Sequence, residues 1–208
     1  PQANDLFKVP VGNYFEVDRW QDEMSKVFKR MPLMLAMTTE VPVAGDYKAM
    51  DVGGVPILIC RNRDGQVKAF INSCSHRGSQ LVDEGTGHTS KFTCPYHAWT
   101  YGLNGQLAGI FAPDEFGEID RSCHGLTELP SMERAGLIWV TLDKNSKLNI
   151  QDFLSGYDDM LAHFGFENWY HFGSQRVEGP NWKIAYDGYM DLYHLPILHK
   201  ATFGPEFP

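Results

Sequence analysis

No apolar run in this chain approaches the roughly 18 residues that a bilayer-spanning helix needs. The longest, residues 31–37, contains Pro32. Basic residues are also scarce. Eighteen Lys and Arg stand against 26 Asp and Glu, for a formal net charge of -8, and no block of like charge breaks the scatter. A nucleic-acid binder would carry a basic face, so no nucleic-acid partner and no membrane partner are expected. There are only four cysteines. That is too few for a disulfide framework and suits a cytoplasmic protein whose thiols serve a metal. No signal peptide, internal repeat or low-complexity segment is visible in the chain. It also lacks an initiator Met, opening on Pro1, so its first residue is not expected to be the protein's own start. What it does have is 208 residues, 43% hydrophobic and 13% aromatic. That supports a packed core and one domain, or one and a half.

Residues 1–16 read as a loose arm. Val17, Trp20, Met24, Val27, Phe28 and Met31 then recur at helical spacing, and Pro32 ends the run. From residue 45 to 142 the texture changes to short strands. Strands are predicted at 47–52, 55–61, 67–71, 91–93, 100–101, 107–110 and 137–142, with turns at Gly53-Gly54, residues 62–65 and Asn104-Gly105. This pattern predicts a small antiparallel sandwich or barrel. After a polar linker, residues 153–164 and 181–195 read as helices and residues 175–178 as a strand. Gly188 is expected to interrupt the second helix and Pro196 to end it. The expected fold class is α+β, in three parts. Residues 1–44 form an arm and helix, 45–142 an all-β domain, and 143–208 the beginning of a second, truncated domain.

Two stretches carry the chemistry. The first pairs Cys74-Ser-His76 with Cys94-Pro-Tyr-His97. Structural zinc sites usually group like with like, as Cys-x2-4-Cys and His-x3-5-His. Here each pair mixes a thiol with an imidazole. A Rieske-type [2Fe–2S] centre needs two thiolates on one iron and two imidazoles on the other, and two loops giving one ligand to each iron supply that. Zinc is the competing reading of the same four donors. Both loops are expected at hairpin tips. Gly78 would free the first and Pro95 stiffen the second. Cys60 and Cys123 read as packing residues or free thiols. His88, His124, His163 and His171 read as surface or capping residues. Trp99 and Tyr101 are expected to pack beneath the site, and residues 111–116 form an aromatic loop.

The second stretch is Asp191-Leu-Tyr-His194-Leu-Pro-Ile-Leu-His199. Asp191 and His194 are three apart, the spacing of one helix face. Two His and one carboxylate are the donor set of non-haem Fe(II) oxygenases, which leave positions open for O2 and substrate. Tyr186, Tyr189 and Leu195 are candidates for the wall of a substrate pocket.

Asn72-Ser-Cys-Ser-His-Arg-Gly78 together with Cys94-Pro-Tyr-His-Ala-Trp-Thr-Tyr-Gly102 and Asn104-Gly105 resembles the Rieske domain of the ring-hydroxylating, Rieske non-haem iron oxygenases. Asn181-Trp-Lys183 before the Asp191 run resembles the catalytic domain of the same family, in its α (large) subunit. The resemblance implies several things. An all-β Rieske domain would be followed by the start of an α+β, helix-grip-like catalytic domain. Cys74, His76, Cys94 and His97 would hold the cluster, and His194 and His199 a mononuclear Fe(2+). Asp191 would not be a ligand but a bridge from an iron-bound His to a Rieske His of the adjacent subunit. O2 would be co-substrate, with electrons from NAD(P)H through a reductase and possibly a ferredoxin. The assembly would be a homotrimer or α3β3. The outcome would be monooxygenation, dihydroxylation or demethylation of a small organic, aromatic substrate. Ser79 and Tyr96 stand where respiratory Rieske proteins carry disulfide cysteines. That implies a potential near the low end of the range, roughly -150 mV. Two departures stand out. Asp187-Gly188 replaces the family's acid-Asn pair. The third, acidic iron ligand has no counterpart after His199 except Glu206, which is a poor candidate. The resemblance therefore implies that the protein continues for about 200 residues past Pro208. The alternative function is a Rieske-type, ferredoxin-like electron carrier with no oxygenase activity of its own.

Overall fold

Strand β3 (Val55–Arg61) is buried at five successive positions, Ile57 to Arg61. A strand whose side chains alternate faces can do this only as the middle of a stack. Ile57 and Ile59 enter one core cluster with Val41, Ala69 and Ile138. Leu58 and Cys60 enter another with Phe70, Phe92, Trp99 and Tyr101. Each such side chain, removed from water, contributes about 1.5–3 kcal/mol.

The computed structural model describes residues 8–204, so the first seven residues of the arm and Glu206 lie outside the described residues. The chain divides into two compact units. The first, Glu23–Phe172, is built from antiparallel strands: β1 (Leu33–Met37), β2 (Asp46–Val52), β3, β4 (Val67–Ile71), β5 (Gly85–His88), β6 (Phe92–Thr93), β7 (Thr100–Tyr101), β8 (Leu107–Gly109), β9 (Glu128–Leu129), β10 (Ser131–Arg134) and β11 (Leu137–Val140). They form a central sheet in the order β5-β2-β3-β4-β9, a second sheet β1-β11-β10, and a small sheet β6-β7-β8. In the central sheet Val52 stands opposite Val55 across the Gly53-Gly54 turn, and Tyr47 opposite Cys60. β11 also serves two faces. Ile138 and Val140 join the cluster beneath β3, while Leu137 and Trp139 pack on Ile150 and Leu154. Those last two belong to the helix Ile150–Leu154, whose N-terminal amides bond to the Asn149 side chain.

The seven strands read from the sequence are all present, within a residue or two at their ends. Four more, β1, β5, β9 and β10, carry too little alternation to be read without their partners. The helix predicted over residues 17–31 is an α-helix over Val17–Glu23, then a π-helix over Met24–Phe28, where Lys29 N–H reaches back to Met24 O at 3.0 Å. The helix predicted over 153–164 is two helices, Ile150–Leu154 and Tyr157–Ala162, because Ser155 and Gly156 adopt the left-handed conformation.

The other unit, formed by Pro1–Asp22 and Gly173–Pro208, is helical among its described residues. Residues 8–16, read as a loose arm, include a short helix, Gly12–Phe15. The strand predicted at 175–178 is not formed; those residues are irregular. Gly188 does not interrupt its helix, which runs unbroken over Trp182–Met190. Pro196 does not end a helix but stands in the first turn of another, Leu195–Leu198. A missing N–H costs nothing there.

Arg61 ties the two larger sheets together. Its Nε donates to Val41 O at 2.7 Å and its Nη1 to Gly65 O at 2.7 Å. The guanidinium meets Glu133 of β10 in a fork, at 3.0 and 2.6 Å. Burial alone would push the Glu133 carboxyl up, but Arg61 outweighs it and holds the group below its ordinary value. A depressed carboxyl stabilises the fold above its unfolded pKa, near 4.5, and that contribution is lost as pH falls through the lower folded value. Arg61→Ala is expected to lower stability by about 3 kcal/mol in urea unfolding. Glu133→Gln is expected to be less stable at neutral pH and to show a shallower loss of stability below pH 4.5 than the parent.

Candidate functional site

The two Cys/His loops share one backbone design. In the first, Gly78 N–H donates to Cys74 O, and Cys74 N–H donates to Ser79 O, both at 2.8 Å. In the second, Ala98 N–H donates to Cys94 O at 3.0 Å, and Cys94 N–H to Trp99 O at 2.8 Å. Each loop thus closes on its own cysteine, four and five residues on. The closing residue takes positive φ in both, Gly78 at 73° and Ala98 at 56°. The loops differ only in where the imidazole stands, two residues after Cys74 and three after Cys94. The second loop is a hairpin tip between β6 and β7. The first is not: β4 and β5 do not pair, and it lies in the long connection between them. A buried Asn72 anchors that connection. Its Nδ2 donates to Val82 O at 2.8 Å, while its Oδ1 accepts from the N–H groups of Leu81 and Val82.

These loops bring the four predicted donors together. Cys74 and Cys94 are both buried, both free of disulfide, and their side chains hydrogen-bond one another. The rings of His76 and His97 meet at 4.8 Å. Trp99 stacks on His76 at 4.8 Å with only 10° between planes, and Phe116 approaches the same ring edge-on at 5.8 Å. Tyr96 stacks on His97 at 3.8 Å. Burial pushes the Cys94 thiol up. The backbone N–H groups of His97 and Tyr96 and the side chains of Cys74 and Ser79 outweigh it, so the thiol lies below its ordinary value. The loop is therefore built to hold negative charge on sulfur. His76 is held below its usual value by burial, then by the nearby charges of His97 and Arg77. Its Nδ1 is buried with no hydrogen-bond partner among the described residues, and so is the indole nitrogen of Trp99. Orphaned buried nitrogens beside two paired thiols are what remains when a bound inorganic group supplies the missing contacts. The donor set fits a split-ligand [2Fe–2S] cluster, with Cys74 and Cys94 for one iron and His76 and His97 for the other.

Tyr101, on β7, is fully buried. Its hydroxyl lies 3.0 Å from Cys74 Sγ, and burial together with that sulfur pushes its pKa to about 12. It therefore keeps its proton to donate. Cys60 is a packing thiol, pushed to about 12 by burial, with its Sγ on Leu103 O. Cys123 is exposed. The four other histidines have partners outside both sites: His88 bonds to Asp46, His124 to Asp120 O and His163 to Asp159 O, while His171 approaches Glu40 at 3.6 Å.

The second stretch is arranged differently from its sequence reading. Asp191 and His194 do not share a helix face. Asp191 caps the end of Trp182–Met190, and residues 191–194 form a turn closed by Tyr193 N–H on Asp191 Oδ1 at 2.8 Å. The turn still sets Asp191 Oδ2 3.5 Å from His194 Nδ1. The rings of His194 and His199 lie 5.3 Å apart. They face a cavity of about 650 Å³ that Tyr189, Leu192 and Leu195 also line; Tyr186 lies outside that lining. Among the described residues no group of three or more His, Cys, Asp or Glu stands ready to hold a metal ion here, so a third donor is not supplied. Sequence reasoning missed Tyr14, whose hydroxyl donates to Asp187 Oδ2 at 2.7 Å. No local pattern signals that contact across 173 residues.

Comparison with known proteins matches these two regions separately. Residues 31–130 match the Rieske [2Fe-2S] domain, and residues 166–208 the ring hydroxylating alpha subunit (catalytic domain). The chain is 37% identical over 184 residues to the glycine betaine monooxygenase oxygenase subunit of Chromohalobacter salexigens, covering 88% of this chain and 41% of that protein. The solved quaternary ammonium Rieske monooxygenase CntA superposes with a TM-score of 0.85 at 29% identity, covering 92% of this chain and 54% of its own. Naphthalene 1,2-dioxygenase from Rhodococcus sp. superposes with a TM-score of 0.82 at 27% identity, covering 94% and 46%. The chain thus spans about half the length of the relatives it matches.

The matched loops predict an asymmetry. A Cβ at Gly78 has open space, with Ser73 Oγ nearest at 3.9 Å, so only the backbone penalty remains. Gly78→Ala is expected to lower the urea midpoint by an amount equal to about 1 kcal/mol. Ala98→Gly should change it little, because relief of the positive φ is offset by a freer unfolded chain.

Proposed function

We propose that this chain, whose two regions match the Rieske [2Fe-2S] domain and the ring hydroxylating alpha subunit (catalytic domain), is part of the large subunit of a Rieske non-haem iron oxygenase, a terminal oxygenase component acting on an organic substrate. Cys74, His76, Cys94 and His97 hold a [2Fe–2S] cluster, and His194 and His199 hold a mononuclear Fe(2+). When bound, the cluster supplies one-electron transfer and the Fe(2+) supplies the activation of O2. The carrying observation is the pair of buried, unbridged thiols beside a buried imidazole nitrogen with no partner, on loops that close on their own cysteines.

The residues have distinct tasks in this reading. Asn72 fixes the first loop to the end of β4. Tyr101 donates its hydrogen towards the Cys74 sulfur and so favours charge there. Trp99 and Phe116 cover the His76 ring and keep water from it. Asp191 orients His194 by attracting its Nδ1, a positioning task common to carboxylates around metal-binding imidazoles. Electrons come from NAD(P)H through a reductase, with or without a ferredoxin. The whole protein assembles as a homotrimer or α3β3, in a cytoplasm that keeps its cysteines reduced.

The resemblance favours an aromatic substrate. The similarity to glycine betaine monooxygenase and to CntA brings in a second class, quaternary ammonium compounds. Tyr189 on the cavity wall presents a π face that suits a ring or a cation. Product analysis with naphthalene and with glycine betaine, under reductase and NAD(P)H, separates the two.

A carrier without oxygenase activity would contain equal iron and acid-labile sulfide. The oxygenase reading requires iron in excess of sulfide in the whole protein, and a ratio of one would refute it. Asp191→Ala is expected to keep both metal contents while product formation falls by about 100-fold. Normal turnover in that variant would remove Asp191 from the mechanism.

A further inference from the structure

Ser75 lies between the two predicted ligands of the first loop, yet its side chain turns away from both. Its Oγ donates to His124 O at 2.7 Å and lies 3.0 Å from the Tyr101 hydroxyl. Its backbone N–H also donates to that hydroxyl, at 3.1 Å. The Tyr101 oxygen is thus surrounded by Ser75 N–H, Ser75 Oγ and Cys74 Sγ, the last at 3.0 Å. Proton counting decides how these contacts are used. A cysteine sulfur bound to metal has no hydrogen to give, so only the Tyr101 hydrogen can serve that contact. The Ser75 hydrogen is committed to the shorter bond with His124 O. No other hydrogen lies between Ser75 Oγ and the Tyr101 oxygen. The two acceptors, Cys74 Sγ and Ser75 Oγ, therefore compete for one phenolic hydrogen at equal distance. Donating to a carbonyl strengthens Ser75 Oγ as an acceptor, since bonds in a chain polarise one another.

We propose that Ser75 is a positioning residue that draws the Tyr101 hydrogen away from the Cys74 sulfur and so holds down the reduction potential of the cluster. This rests on the reading that Cys74, His76, Cys94 and His97 hold a [2Fe–2S] cluster. Hydrogen bonds to cluster sulfurs favour the reduced form, which carries more negative charge. The His124 carbonyl belongs to the 3-10 turn Arg121–His124, so the position of that turn sets how strongly Ser75 competes.

The test is redox titration of the whole holoprotein, followed by the paramagnetic resonance signal of the reduced cluster, in a double-mutant cycle. Iron and sulfide are counted in every variant. Ser75→Ala is expected to raise the potential, because Tyr101 then donates to sulfur alone. Tyr101→Phe is expected to lower it. The double variant should match Tyr101→Phe, and Ser75→Thr, which keeps the hydroxyl, should match the parent. An unchanged or lower potential in Ser75→Ala overturns the proposal. So does an upward shift of the same size in the Tyr101→Phe background, since Ser75 would then act without the phenol. A parent protein that shows no reducible cluster signal overturns the cluster reading itself, a different result from an absent shift.

Discussion

The first site depends on a backbone N–H given by each cysteine to the carbonyl five residues on. That bond and its companion four residues on curl each loop so that a thiol enters the interior while the chain returns to the sheet. Once the two curls face each other, the sulfurs are buried together, within reach of one bound group. Asn72 and β7 fix the curls to the central sheet, so the placement of the donors inherits the rigidity of a packed core. A site carried on such elements loses little order when its group changes charge.

The same burial governs the surrounding aromatics. Trp99 is almost wholly buried and presents its face to His76, whereas Tyr96 is largely exposed and stacks on His97. Both imidazoles are half-buried, and they differ in the ring that covers them: a buried indole on His76, a solvent-exposed phenol on His97.

Much of this was legible in the chain because it is local. Two mixed Cys/His pairs fix the donor chemistry at short range, and Val55–Arg61 and its neighbours announce themselves by alternation and Gly turns. What was hidden depends on distant partners. Leu33–Met37 is apolar without alternation and becomes a strand only by pairing with Leu137–Val140. Tyr14 finds Asp187, and Ser75 finds both Tyr101 and His124, through folding alone. Around His199 the sequence erred on Pro196, which the helix accepts in its first turn. The turn at Asp191 then does by side-chain capping what a shared helix face was expected to do. Tyr193, Ile197 and Leu198 nearby are exposed apolar side chains.

Arg61 has a further consequence. Successive side chains of β3 all find apolar surroundings, Ile57 and Ile59 on one face, Leu58 and Cys60 on the other. A slip of β3 by one residue would exchange those faces without exposing anything polar, so hydrophobic patterning alone specifies its alignment weakly. The guanidinium at the strand's end removes that ambiguity. Displaced by one position, it would face away from Val41 O, Gly65 O and Glu133 and become a buried charge without partners. It acts as an alignment pin for β4, which pairs with β3 and leads into the Cys74 loop, so that cysteine is placed by a residue that does not touch it.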